Sequence, residues 1–271
     1  DILVLPPYLG VIGEGGNRWV NGASMENEGW EFVLGYNNET SFGLTYNITG
    51  NFSLNNNKIT NLPDEVKNNY GGNGIDDNIL GRPINSMYGY VTDGLFTSQE
   101  QVDNSAIQEG KGLGRIRYND LNGDGTIDDK DRTWIGNPNP GMLYGLNMDL
   151  GYKNFDFTMF WEGAGNVDVI NNTKFQTDFW SVDDVGSNKG TRLLNAWSLD
   201  NPTSTIPALT TVDRNAESRF STYYVEDGSY LKLRVLQLGY TLPKEVLTKL
   251  SLDTFRFYIS GQNLLIITDF K

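Results

Sequence analysis

The residues from Ser41 to Leu54 alternate strictly in character. Strands of soluble sheets usually run only about 5 to 6 residues, so a period of two held this long predicts an unusually long strand with one apolar and one polar face. At about 3.3 Å per residue and a tilt of about 40°, it would climb roughly 33 Å, enough to cross the ~25 Å apolar band of an outer-membrane barrel. We therefore expect an all-β chain that forms part of the wall of a transmembrane antiparallel β-barrel. The apolar or glycine positions are Phe42, Leu44, Tyr46, Ile48, Gly50, Phe52 and Leu54, and the small or polar ones are Ser41, Gly43, Thr45, Asn47, Thr49, Asn51 and Ser53.

Composition agrees with a membrane barrel and removes several other classes of protein. No window of the 271 residues approaches the roughly 18 consecutive apolar residues of a transmembrane helix. The chain contains neither cysteine nor histidine, which removes disulfides, Ser-His-Asp catalysis and the usual zinc sites. A net charge of -13 disfavours a nucleic-acid partner, because phosphates would be repelled. We expect neither an enzyme nor a nucleic-acid-binding protein.

The alternating pattern recurs in three predicted hairpins. Their strands are 30–36 with 41–54, 144–152 with 155–161, and 236–240 with 255–259. The turns predicted between them are Asn37 to Thr40, Lys153-Asn154, and a longer polar connection from Pro243 to Asp253. A change of phase between Val235 and Leu236 predicts a β-bulge.

Short turns within the hairpins contrast with two long connections between them, residues 55–133 and 163–219. Outer-membrane barrels have short periplasmic turns and long extracellular loops, so both long connections are expected at the extracellular end. Aromatic residues of the apolar face lie beside the short turns and would form the aromatic girdle on the periplasmic side. They are Tyr36, Phe42, Tyr152, Phe155, Tyr240 and Phe255.

A soluble all-β protein whose apolar face packs a sandwich core is the alternative fold. That fold must explain why the polar face carries so few lysines, which soluble sheet edges use against aggregation. In a barrel, the same polar residues face a wet lumen: Asn47, Asn51, Asp149, Asp156, Glu162 and Arg256.

A calcium-binding pattern extends from Asp120 to Asp131. It has oxygen-bearing side chains at positions 1, 3, 5, 9 and 12, glycine at 6 and a backbone carbonyl donor at 7, which is the spacing of an EF-hand-type loop, and Ile127 can anchor the loop inward. Position 12 is Asp rather than the usual Glu, and flanking helices are not evident, so a structural calcium is expected rather than a sensor. A solvated acidic turn is the alternative. The predicted ligands are Asp120, Asn122, Asp124, Thr126 through its carbonyl, Asp128 and Asp131.

A further series of motifs occurs in a fixed order along the chain. The series resembles the SusC/RagA family of TonB-dependent outer-membrane transporters, from about Asn27 to Leu265. Single motifs of this kind are weak, whereas the ordered set is specific. The motifs are Gly81-Arg82-Pro83, Tyr88-Gly89-Tyr90, Asp93-Gly94-Leu95-Phe96, Tyr118 to Gly125, Ile135-Gly136-Asn137-Pro138, Ser229 to Leu233, Leu238 to Pro243, and Ser260 to Leu264.

The resemblance implies a barrel of about 22 strands in the bacterial outer membrane, closed by an N-terminal plug. Such barrels import glycans or peptides with energy relayed by TonB, and a SusD-like surface lipoprotein is their lid. Residues 1–271 would be the C-terminal part of the barrel, embedded in outer-membrane lipid, without the plug that contacts TonB. A secreted calcium-dependent glycan-binding β-domain is the alternative function, and it would stay soluble without detergent.

Two smaller site hypotheses concern the loops. Trp197, in the second long connection, would stack on a sugar or pack against the lid lipoprotein, or else it is folded into its own loop. The paired carboxylates Asp76-Asp77 and Asp183-Asp184 would suit a glycosidase only if they converged on one bond. Adjacent carboxylates in polar loops are better interpreted as solvated.

Overall fold

The computed structural model describes residues 2–4, 20–63, 77–179, 189–210 and 215–270. Within these residues the chain is built mainly from strands, with three short α-helices, α1 (Gln99–Asn104), α2 (Asn172–Thr177) and α3 (Lys244–Leu250). None of the described helices is long and apolar enough to cross a membrane. The strands are β1 (Ile2–Val4), β2 (Val20–Glu39), β3 (Leu44–Asn61), β4 (Met87–Tyr90), β5 (Thr92–Leu95), β6 (Ile116–Tyr118), β7 (Arg132–Gly136), β8 (Met142–Tyr152), β9 (Phe155–Gly165), β10 (Asp168–Ile170), β11 (Val225–Asp227), β12 (Tyr230–Thr241) and β13 (Arg256–Thr268).

Seven of these strands form one sheet in the order β1-β2-β3-β8-β9-β12-β13. Each partner register that is resolved in this sheet is antiparallel, as in an up-and-down wall. The three predicted hairpins are present, since β2 neighbours β3, β8 pairs with β9, and β12 pairs with β13.

The chain divides into two compact units. The wall unit comprises Asn27–Asn56, Asn139–Val167 and Asp227–Lys271, and the loop unit comprises Asp1–Glu26, Asn57–Pro138 and Asp168–Glu226. The described parts of the long connections are therefore folded, with small two-stranded sheets β4-β7, β5-β6 and β10-β11. A core of the loop unit joins residues from both connections: Tyr90, Leu95, Ile116, Tyr118 and Trp197.

The strand register explains how the wall unit comes to have two different faces. A polar row runs across five strands in direct register, followed one position along each strand by an apolar row. A shift of one residue in any pair would move that strand's apolar residues to the polar face. The polar row is Asn47, Asp149, Thr158, Gln237 and Ser260, and the apolar row is Ile48, Met148, Met159, Leu236 and Gly261.

The turn of the first hairpin lies later than the sequence predicts. β2 continues through Asn37 to Glu39, and the turn is made by residues 40–43. Gly43 adopts a left-handed φ of 85°, and its N–H donates to the carbonyl of Thr40 at 2.9 Å. The Thr40 hydroxyl also accepts from the N–H of Leu44 at 2.9 Å. The predicted turn at Asn37 to Thr40 is therefore wrong, because glycine supplies the tight bend while the polar residues before it still suit a strand.

The predicted bulge in β12 is confirmed and lies slightly earlier than predicted. The register of β12 shifts between Leu233 and Val235 against both neighbouring strands, which leaves Arg234 unpaired in the ladder. Its guanidinium lies 3.1 Å from the carboxylate of Glu162 on β9. The bulge thus redirects one cation toward an acid of the neighbouring strand.

Aromatic side chains form a row beside the short turns of the wall unit. The ring of Phe155 lies 4.7 Å from that of Tyr240, which in turn lies 5.4 Å from Phe257. Phe42 contacts Tyr152 at 6.3 Å between ring centroids. We call Phe42, Tyr152, Phe155, Tyr240, Phe255 and Phe257 the aromatic row.

The connection between β12 and β13, predicted only as a polar stretch, contains the helix α3. Pro243 occupies the N-cap, and Ser251 ends the helix in a left-handed conformation with φ 55°. The residues between them are good helix formers with apolar positions at helical spacing. Pro243 and the charged residues that follow it are also typical of a plain polar connection, so the local sequence does not distinguish the two.

Candidate functional site

The predicted calcium loop has interlocking side-chain bonds in its first half. Asp120 accepts from the N–H groups of Gly123 at 2.7 Å and Gly125 at 2.8 Å, one at each carboxylate oxygen. Asn122 accepts from the N–H of Asp124 at 2.9 Å, and Asp124 accepts from the N–H of Thr126 at 2.9 Å. Three alternate residues with oxygen-bearing side chains, at positions 1, 3 and 5 of the pattern, are thereby held on one tight turn.

The glycines at positions 4 and 6 of this loop have a conformational role. Gly123 and Gly125 have φ of 75° and 83°, a left-handed conformation in which other residues are strained. The neighbouring segment also fixes the loop through two backbone hydrogen bonds. The N–H of Ile107 donates to the carbonyl of Gly125 at 2.8 Å, and the carbonyl of Ile107 accepts from the N–H of Ile127 at 2.9 Å. Ile127 packs against the core of the loop unit, as predicted.

The second half of the loop is closed by Asp131, which is fully buried. Its two carboxylate oxygens accept from the N–H of Leu121 at 2.9 Å and of Asp128 at 2.8 Å. Asp128 caps the short 3-10 helix Asp129–Asp131 by accepting from the N–H of Lys130 at 2.7 Å. Position 12 of the pattern therefore joins the end of the loop to its beginning.

The donor set suits a hard cation only when neutral oxygens are included. Among the described residues, no group of three or more Asp, Glu, His or Cys side chains is arranged to hold a metal by itself. Calcium prefers six to eight oxygen ligands and accepts amide and backbone carbonyl oxygens. The predicted ligands include both kinds, in Asn122 and Thr126.

The calcium loop is linked to the second long connection through Tyr90. Its hydroxyl donates to Asp129 at 3.0 Å, and burial, followed by this bond to a carboxylate, raises the pKa of Tyr90 above its ordinary value. Tyr90 therefore remains a neutral donor across physiological pH. The guanidinium of Arg219 lies 4.8 Å from the ring centroids of both Tyr90 and Tyr118.

A buried polar network also joins the two long connections. Glu217 is fully buried and accepts from Arg115 at 2.8 Å and from the N–H of Ile116 at 2.9 Å. Gln108 donates to Asn215 at 2.7 Å. Because unpaired buried charges are costly, the two segments are held in one arrangement. The sequence offered no signal for this network, since its members lie about a hundred positions apart.

Trp197 belongs to the core of the loop unit. The residue is only 7% exposed, and its backbone N–H donates to the carbonyl of Ile206 at 2.8 Å. The ring packs so closely on Gly114 that a Cβ there would collide with it. This burial favours the alternative in which the ring is folded into its own loop over contact with a substrate or a lid lipoprotein.

Of the paired carboxylates considered for glycoside hydrolysis, only Asp77 lies within the described residues. Asp76, Asp183 and Asp184 lie outside the described residues, and Asp77 is half-buried.

The polar face of the wall unit carries charged and hydrogen-bonding groups in register. Asp149 accepts from Thr158 at 2.9 Å and Asn147 at 3.0 Å. Arg256 makes two bonds to Asp156, at 3.0 and 2.6 Å, and the pair crosses directly over Gly239. A Cβ at that glycine would lie 2.5 Å from the carboxylate oxygens, so the ion pair requires glycine beneath it.

An antiparallel sheet with one continuous polar face, one apolar face and an aromatic row beside its short turns defines the wall of an outer-membrane β-barrel. No family model matches the sequence. Individual proteins do match: the chain is 34% identical over 98% of its length to TonB-dependent receptor P3 of Formosa agariphila and 30% identical over 93% to TonB-dependent receptor P26 of the same organism. It is 27% identical over 93% of its length to TonB-dependent receptor SusC of Bacteroides thetaiotaomicron. The chain is thus a relative of the SusC-type TonB-dependent receptors, as its ordered motifs predict.

The fold comparison agrees with the sequence comparison. The structure of the RagAB peptide transporter superposes with a TM-score of 0.76 over 99% of this chain, at 22% identity. The chain spans about a quarter of the length of the receptors, 26% of P3 and P26 and 24% of SusC. These relatives are receptors and an importer, not enzymes, in agreement with the expectation from composition.

Proposed function

We propose that this chain forms part of the wall and the extracellular loops of a transporter that imports glycans or peptides across the outer membrane with energy from TonB. The observation that carries the proposal is the two-faced sheet: its apolar face suits lipid, and its polar face suits a wet lumen. The TonB-dependent receptors that resemble the chain support import as the activity.

The loop unit is the proposed seat of a SusD-like surface lipoprotein and part of the substrate vestibule. Support comes from its construction: the described parts of the two long connections share one hydrophobic core and one buried polar network, which suits a stable docking surface. Both connections, 55–133 and 163–219, would then lie outside the cell, and TonB would act through a plug domain. A peptide cargo is supported by the RagAB importer, and a glycan cargo suits the polar loop surface equally.

Uptake in cells tests this proposal. A strain lacking the gene is expected to lose energy-dependent uptake of one class of labelled cargo, oligosaccharide or peptide, while a strain lacking tonB shows the same loss. Unchanged uptake of both classes would contradict the proposal. Purification of the intact protein without detergent would instead favour the alternative, a secreted calcium-dependent glycan-binding domain.

We further propose that a structural calcium stabilises the loop between Asp120 and Asp131. Asp120, Asn122, Asp124 and Asp128 would supply side-chain oxygens, Thr126 its carbonyl, and Asp131 would close the site from within the protein. The metal would neutralise acids that otherwise repel one another on one tight turn.

Chelation tests the calcium proposal. Removing calcium is expected to expose the loop to proteases, and Asp124→Ala should have the same effect in the presence of calcium, while the wall unit remains assembled. Asp103→Ala is the matched control, because Asp103 is a solvent-exposed aspartate on α1 of the same unit. Equal proteolysis with and without chelator in the wild-type protein would contradict the proposed site.

A further inference from the structure

We infer that α3 is an interfacial helix that inserts Val246 and Leu250 into the phospholipid leaflet at the short-turn end of the wall. The inference goes beyond import, because it assigns a membrane contact to a connection between two strands.

The apolar residues of α3 are divided between two environments. Leu247 is only 6% exposed and holds the helix on the protein. Val246 and Leu250 are 40% and 55% exposed, and Leu252 just beyond the helix is 44% exposed. Residues four apart share one face of a helix, so Val246 and Leu250 form one uncovered apolar stripe. Such a stripe is unfavourable in water and favourable at a lipid boundary.

Backbone hydrogen bonds fix the place of this connection in the wall unit. The N–H of Leu242 donates to the carbonyl of Phe255 at 2.9 Å, which extends the β12-β13 ladder by one pair. Asn154, in the turn between β8 and β9, accepts from the N–H of Thr241 at 2.8 Å and donates to its carbonyl at 2.7 Å. The helix therefore starts directly beyond the aromatic row, at the same end as the neighbouring short turn.

Continuity with the aromatic row identifies the occupant as lipid. Tyr240 and Phe255 are the last row members before and after α3, and Phe255 is 47% exposed. Aromatic side chains at this position mark the boundary between the hydrocarbon core and the headgroups. An apolar stripe that continues past this boundary lies at the level of the headgroups, where interfacial helices bury their apolar face by about 5 to 10 Å.

The polar residues of α3 suit the same environment. The exposed polar residues are Lys244, Glu245, Thr248 and Lys249. At about 100° per residue, they lie beside the stripe or opposite it. The ammonium of Lys153, in the adjacent turn, lies 5.2 Å from the ring of Tyr152. Lysines at this level can extend their charged ends to phosphate groups while their stems stay on apolar surface.

Fluorescence quenching by brominated lipid tests the inference. The chain has no cysteine, so Leu250→Cys and, as control on the same helix, Thr248→Cys can each carry one environment-sensitive label in this stretch of the protein. The full protein is placed in phosphatidylethanolamine–phosphatidylglycerol vesicles that contain phospholipid brominated near the headgroup end of its acyl chains. The label at position 250 is expected to be quenched by the bromines and shielded from aqueous iodide, and the label at 248 should show the reverse.

Two results would overturn the inference. Equal responses at positions 250 and 248 would show that the helix does not lie in the interface. A label at 250 that neither bromine nor iodide quenches would show that protein, not lipid, covers the stripe. Neither result bears on import, so failure here is distinguishable from failure of the proposed function.

Discussion

Replacing Glu217 with alanine is expected to destabilise the loop unit by about 3 to 5 kcal/mol, because removal of one partner leaves the other buried charge uncompensated. Glu217 has no exposed side-chain area, and its partner Arg115 is 13% exposed. The substitution also removes the acceptor of the Ile116 N–H, which donates to the same carboxylate. Hydrogen exchange of the segments around residues 115 and 217 measures the loss of protection.

The exposed ion pair between Arg117 and Asp93 provides the control. The Asp93 side chain is 65% exposed, so Asp93→Ala should change stability by only about 0.2 to 1 kcal/mol. Faster exchange confined to the loop unit of the Glu217→Ala variant is the expected pattern. Comparable effects of the two substitutions would mean that the buried network does not hold the long connections together.

Arginine on the apolar face of β3 is the second substitution with a large expected effect. Ile48→Arg should destabilise the folded protein in phospholipid vesicles by about 2 to 4 kcal/mol, since it places a charge near the middle of the hydrocarbon. Denaturant unfolding followed by tryptophan fluorescence measures the difference.

Its control is the neighbouring residue on the same strand. Asn47 lies on the polar face in register with Asp149, and its side-chain amide lies 3.5 Å from that carboxylate. Asn47→Arg should therefore cost much less, because the new cation meets water and an acid. A larger loss of stability for Asn47→Arg than for Ile48→Arg would reverse the assignment of the two faces.

The wall could be predicted from the sequence because alternate residues of a barrel strand face lipid and water, so the pattern is visible within each strand. Alternation with a period of two located all three hairpins, and five of the six aromatic residues expected beside the short turns pack in the aromatic row. The sixth, Tyr36, lies against Tyr46 instead, and Phe257 joins the row without having been predicted. The ends of strands were harder to predict, since β3 continues to Asn61 through residues without a clear alternation. The first turn was misplaced because Asn37 to Glu39 are typical turn residues that here complete β2.

The interior of the loop unit could not be predicted in the same way. Its contacts join residues that are distant in sequence, such as Arg115 with Glu217, and no local pattern reports them. Trp197 illustrates the difficulty: the sequence allowed either a contact surface or a ring folded into its own loop, and it could not reveal that Tyr90, Ile116 and Tyr118 share a core with this ring. The calcium-binding pattern could be recognised in the sequence because all its predicted ligands lie within twelve consecutive residues. The bound calcium itself remains a proposal.

Accessibility of labels on β3 is the most direct test of the wall. Nitroxide labels at Tyr46 and Asn47, introduced one at a time into the protein in phospholipid vesicles, report collisions with lipid-soluble oxygen and with a water-soluble nickel chelate. The two-faced sheet predicts high oxygen and low nickel accessibility at position 46, and the opposite at position 47. Equal accessibility of both labels to the two reagents would contradict a barrel wall with one face in lipid and the other in water.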